Sequence, residues 1–188
     1  MAASTKPKLT PMMAQYRRIK SELPASALLL FRLGDFYEMF LEDAQEGAGI
    51  LEVALTKRGG MPMCGIPFHA ADNYVAKLLK AGRKVAICEQ VEDAKPGKLV
   101  KRKVTQILSP GTHLDERMLA AERNNYLAVA HQEGRTCALA VVDLTTGSFR
   151  TTELADGQAL LTELERLRPA EVIVGANSPE IQGLVKPV

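Results

Sequence analysis

The chain has 188 residues, 46% hydrophobic and 24% charged, with three cysteines and a formal net charge of +2. That composition excludes a disordered tail or a fibrous protein, and the length suits two small domains better than one large one. No apolar run approaches the roughly 18 residues of a membrane-spanning helix, and residues 1–8 lack the apolar centre of a secretory signal, so a soluble, cytoplasmic protein is expected.

The near-neutral total hides a division. Residues 1–110 hold 17 Lys/Arg against 11 Asp/Glu, and residues 111–188 hold 7 against 11. A basic first half is expected of something that meets phosphate, whereas the second half reads as a spacer or protein-contacting unit.

In chain order, Thr10 is placed to cap a helix with Pro11 at its first position. Met12, Met13, Tyr16, Ile19 and Leu23 form its apolar stripe, Arg17, Arg18 and Lys20 face outward, and Pro24 stops it. Residues 27–33 are an apolar run of strand length, Gly34-Asp35 a two-residue turn, and residues 36–40 a second strand. Residues 42–51 read as a helix stopped by Gly47-Ala48-Gly49, 52–56 as a strand, and 57–67 as a loop rich in glycine and proline. A helix over 70–81 ends at Gly82, a buried strand covers 85–90, and a basic strand lies near 99–108 before Ser109-Pro110-Gly111. A charged helical linker near 115–123 leads to strands at 126–131, 136–144 and 148–153, a helix at 158–168 and a strand at 171–175, a β-β-β-α-β order.

Several chemistries find no support. There is no G-x-x-x-x-G-K-[ST] phosphate loop, and Gly47-Ala48-Gly49 lacks the third glycine of a dinucleotide fingerprint. His69, His113 and His131 are isolated from one another and from Cys64, Cys88 and Cys137 at any metal-ligand spacing, and the cysteines read as reduced, mostly buried thiols. Asp143 ends an apolar strand, where a metal nuclease often carries a carboxylate, but no second acid matches it.

The informative segment is Gly34-Asp35-Phe36-Tyr37-Glu38-Met39-Phe40. As a strand it puts Phe36, Glu38 and Phe40 on one face, so that a ring and a carboxylate project side by side. As a helix start, Asp35 and Glu38 form a capping box and Glu38 has a structural task. Composition leaves both open.

These residues resemble the Phe-x-Glu element of the MutS family of DNA mismatch-repair proteins. Thr10-Pro11-Met12-Met13, Leu55-Thr56-Lys57-Arg58-Gly59, Cys64-Gly65-Ile66-Pro67-Phe68-His69-Ala70, Val85-Ala86-Ile87-Cys88-Glu89-Gln90 and Ser109-Pro110-Gly111-Thr112 resemble that family in the same order, over essentially the whole chain. The resemblance implies a mixed α/β (α+β) fold, with a mixed-sheet mismatch-recognition domain over 1–115, a linker over 116–123, and over 124–188 part of a connector domain with a ribonuclease-H-like fold. It implies that Phe36 enters the minor groove and stacks on the mispaired base while Glu38 hydrogen-bonds it. Lys57, Arg58, Lys101, Arg102 and Lys103 are the candidates for backbone phosphates.

The implied ligand is duplex DNA with mispaired or unpaired bases, in the bacterial cytosol or nucleoid, without a membrane. Members of the family carry clamp, lever and ATPase domains that this chain lacks, so it is expected to be a piece of a longer protein. No catalytic residue and no cofactor or metal is expected in this segment. ATP and Mg belong to the parent's ATPase domain, and the parent is expected to form a homodimer that works with a MutL-type partner. The loop from Gly59 to Pro62 is shorter than in some members. Two other readings stand beside this one: a ribonuclease-H-like metal nuclease using Asp143, and a protein-interaction piece built on the acidic second half.

Overall fold

The computed structural model of the protein describes residues 10–92, 98–112 and 124–185. It divides into two compact units, one reaching Leu108 and the other starting at Ser109. The linker and helix expected within 115–123, and His113, lie outside the described residues.

The first unit is a six-stranded mixed sheet. Its elements are α1 (Pro11–Ser21), β1 (Ala27–Leu33), β2 (Phe36–Phe40), α2 (Leu41–Leu51), β3 (Thr56–Arg58), β4 (Met61–Pro67), α3 (Ala71–Lys80), β5 (Lys84–Gln90) and β6 (Arg102–Leu108). The strand order is β3-β4-β2-β1-β5-β6, with β1 and β5 parallel and every other pair antiparallel. The apolar run Ala27 to Phe31 of β1 suits its place inside the sheet, where both faces are covered.

On one face, α1 packs on Leu29, Phe31, Phe40, Ala86 and Cys88 through Met13, Tyr16 and Ile19. The Tyr16 ring meets Phe31 and Phe40 edge to face at 5.4 and 5.0 Å. Thr10 caps α1 by accepting from Met13 N, as its position predicts. Lys20 departs from the outward orientation expected of it: its Nζ lies 2.7 Å from Oδ1 of buried Asp43. Asp43 also accepts from Leu29 N and Tyr16 Oη, so one buried carboxylate ties α1, β1 and α2 together.

The stretch between α2 and α3 corrects the sequence reading three times. Gly47 lies inside α2 rather than ending it, at a point where a Cβ would come within 2.6 Å of Met39 Cε; the helix instead ends at Glu52 in the left-handed region. No strand forms over 52–55, and β3 begins only at Thr56. The expected loop over 57–67 is a β3–β4 hairpin turned by Gly59 and Gly60, whose φ values of +57° and +82° favour glycine. A Gly-Gly turn between two short strands was a readable signal, obscured by the prolines that follow.

The second unit contains β7 (Tyr126–Glu133), β8 (Thr136–Asp143), β9 (Phe149–Leu154), α4 (Gly157–Leu167), β10 (Glu171–Val174) and α5 (Pro179–Val185). The β-β-β-α-β order is the one read from the turns, and α5 adds to it. The sheet runs β10-β7-β8-β9, with β10 parallel to β7. Its core gathers Ala128, Ala130, Cys137, Leu139, Val141, Leu160, Leu164 and Ile181 on one face.

Candidate nucleic-acid interface

The segment Phe36–Phe40 is a strand, which removes the capping-box alternative for Glu38. It leaves the β1 hairpin through Gly34, at φ +59°. The turn is braced from the far face of the sheet. Arg32 Nε donates to Gly34 O at 2.5 Å, and Phe68 N donates to Asp35 O at 2.9 Å. The Arg32 guanidinium lies 3.4 Å from the centre of the Phe68 ring and 5.5 Å from that of Tyr37. Tyr37 Oη in turn bonds Glu89. Burial, followed by that bond, pushes the Tyr37 hydroxyl up to about 12, so it stays protonated. Arg32 and Phe68 carry no site signal of their own in the sequence; Phe68 lies within the Cys64–Ala70 stretch that carries part of the resemblance.

Alternation puts Phe36 and Glu38 on one face, but only the ring projects. Phe36 is 47% exposed and Glu38 is 5% exposed. Glu38 Oε1 accepts from Arg58 Nη2 at 2.6 Å, and Oε2 is buried without a partner among the described residues. Gly65 stands directly across from Glu38 on β4. A Cβ at Gly65 would sit 3.6 Å from Glu38 Cγ and 3.8 Å from Phe36 Cδ1, so the glycine leaves this corner open. Burial raises the Glu38 carboxyl above its ordinary range, and the neighbouring Arg58 opposes that only in part. The expected projecting carboxylate is therefore corrected to a covered one, with Arg58 as the cover.

The basic candidates separate by strand alternation. Lys57 and Arg58 are exposed on β3 but point to opposite faces, and Arg58 shares the face of Phe36. Lys101 and Lys103 are exposed near the opposite edge of the sheet. Arg102 is buried, contrary to the phosphate contact expected of it. Its Nε donates to Arg32 O at 2.6 Å, its Nη1 donates to Gln15 Oε1 and Val100 O, both at 3.0 Å, and its guanidinium lies over Phe31. The β6 alternation turns the middle residue of the Lys-Arg-Lys run into the core.

In the second unit Asp143 is pinned by its own turn. Oδ1 accepts from Asn125 N, Thr145 N and Thr145 Oγ1, and Oδ2 from Thr146 Oγ1. Burial works to raise its pKa, but those bonds outweigh it and hold the carboxyl below its ordinary range. Among the described residues no three His, Cys, Asp or Glu side chains are grouped to hold a metal. Cys64, Cys88 and Cys137 are buried free thiols. No helix among the described residues is long and apolar enough to cross a membrane.

A mixed α/β sheet unit followed in the chain by a smaller α/β unit is the architecture of MutS domains I and II. Residues 10–117 match the family model of MutS domain I, and residues 125–186 that of MutS domain II. The chain belongs to the MutS family. It is 49% identical over 175 residues to the DNA mismatch repair protein MutS of Syntrophobacter fumaroxidans, covering 89% of this chain. It is 50% identical over 176 residues to that of Desulforamulus reducens, with 88% of the chain covered, and 51% identical over 173 residues to that of Desulfitobacterium hafniense, with 89% covered. The match spans 20% of the length of each of these relatives.

Proposed function

We propose that the first unit senses mispaired or unpaired bases in duplex DNA, with Phe36 as a wedge that stacks on the displaced base and Glu38 as its hydrogen-bond partner. The observation that carries this reading is the Phe36 ring, half exposed at a turn braced on its far side, with Glu38 two residues away on the same face. An apolar ring at a base step exchanges a few kcal/mol of base unstacking for stacking on its own face, and a mispair lowers the unstacking cost. Discrimination then follows how readily the duplex kinks, so one site accepts many mispairs.

Burial raises the Glu38 carboxyl above its ordinary range, which lowers the cost of protonating it in a negatively charged groove, where the protonated form donates a hydrogen bond and a carboxylate would repel. Arg58 is read as meeting a phosphate on the face of the wedge, Lys57 as meeting one from the other face of β3, and Lys101 and Lys103 as adding sequence-independent attraction along the duplex. The second unit is read as the connector, with the division near residues 116–123 separating the two domains. In the whole protein, the reading extends to a cytosolic homodimer that uses ATP and Mg in a separate domain and works with a MutL-type partner. The test is a titration of the full-length protein, at fixed salt, against matched, G·T and single-nucleotide-bulge duplexes. Tighter binding to the last two supports the reading, and equal affinity for all three overturns it.

A further inference from the structure

The Glu38–Arg58 pair is asymmetric. The carboxylate is anchored on an interior strand, 5% exposed, with one oxygen bonded and the other buried without a partner among the described residues. The cation is half exposed on a three-residue edge strand that ends at a two-glycine turn. Opposite that strand stands Pro62, which has no N–H to give to the ladder. Of the two partners, Arg58 is therefore the one built to leave, and Glu38 stays inaccessible to a base until it does.

We propose that Arg58 determines specificity by exchanging partners: it holds Glu38 in the free protein and on matched DNA, and moves to a backbone phosphate when a mispaired base engages Glu38. This rests on the reading of Phe36 and Glu38 given above. On a matched duplex nothing replaces Arg58, and its departure would strand a buried carboxylate without a counter-charge, a costly state. Arg58 then stays, and one phosphate contact goes unmade. A displaced base supplies the missing partner, either by donating to the carboxylate or by accepting from its protonated form. Arg58 is released, and its guanidinium is suited to a phosphate. A contact that carries no sequence information thus becomes conditional on the mispair.

The exchange has a signature in salt dependence, because each phosphate neutralised steepens the fall of log K with log salt by about 0.9. Binding of the full-length protein to matched and G·T duplexes is measured over a series of salt concentrations for the wild type, Glu38→Gln, Arg58→Ala and the double variant. For the wild type the slope on G·T is expected to be steeper by about 0.9, one contact. Glu38→Gln frees Arg58, so its matched slope rises to the G·T slope and its matched binding tightens. Arg58→Ala gives two equal slopes, both at the wild-type matched value, because the G·T slope alone loses its extra contact. The double variant does the same without a stranded carboxylate, which separates loss of the exchange from loss of fold. Equal wild-type slopes with mismatch preference intact overturn the exchange and leave the proposed function standing. A steeper G·T slope that survives in both Arg58→Ala variants also overturns it. A wild type without mismatch preference overturns the proposed function and the exchange together.

Discussion

Phe36 and Glu38 share one face of β2 but not one environment: the ring is half exposed, while the carboxylate two residues on is buried against Arg58. The carboxyl is raised above its ordinary range, so the folded state binds its proton more tightly than the unfolded chain does. Its contribution to stability is fully present below the unfolded pKa and is lost as pH rises through the folded one. Glu38→Gln stands in for the protonated form at every pH. The melting temperature of the variant, relative to wild type, should therefore rise as pH is taken from acid to neutral. A constant difference would mean that Arg58 fully offsets the burial.

Arg102 should behave as a core residue. Its guanidinium satisfies the carbonyls of Arg32 and Val100 and the side chain of Gln15 while lying over Phe31. Arg102→Ala should cost about 2–3 kcal/mol in a urea titration, from the stranded acceptors and the lost ring contact. The salt slope of DNA binding should not move. A shallower slope with unchanged stability would return Arg102 to the phosphate contacts first expected of it.

Strand alternation explains both what the sequence disclosed and what it concealed. The β1 run, the Gly34 turn and the Thr10 cap are local features, and the structure has them where the residues predict. Alternation also placed Phe36 and Glu38 on one face. It could not show that Arg58, twenty residues away, closes over Glu38, because that depends on the β2–β4 and β3–β4 registers. Arg102 misled for the same reason: a basic triplet reads as one patch until a strand turns its middle member inward. Gly47 misled because a glycine that ends a helix and one that lets a helix approach Met39 look alike in sequence.

Asp143 should matter to stability rather than chemistry. Four donors converge on its two oxygens, and its folded pKa is depressed. That stability is present above the unfolded pKa and is lost as pH falls through the folded one. Asp143→Asn should cost about 1–2 kcal/mol near neutral pH, measured by urea denaturation, with the gap to wild type closing in acid. Incubation with magnesium and labelled duplex is the companion measurement. Cleavage by the wild type that is lost in Asp143→Asn would revive the nuclease reading.

The sharpest outcome concerns Phe36→Ala. A ring buried in a core and a ring that wedges into a base step differ in what their removal costs. Truncating a buried Phe destabilises by about 3–5 kcal/mol, whereas losing a stacking platform costs about 1–3 kcal/mol of binding. Phe36 is half exposed at the start of β2, outside the cluster that Phe31 and Phe40 form beneath α1, so little of its area supports the fold. The melting temperature of Phe36→Ala should stay close to that of wild type, and binding to matched duplex should change little, because the phosphate contacts that provide it remain. Preference for a G·T duplex over a matched one should disappear. A thermal melt and two titrations at one salt concentration, in the full-length protein, decide the matter. A large drop in melting temperature with preference retained would make Phe36 a structural residue and remove it from the interface.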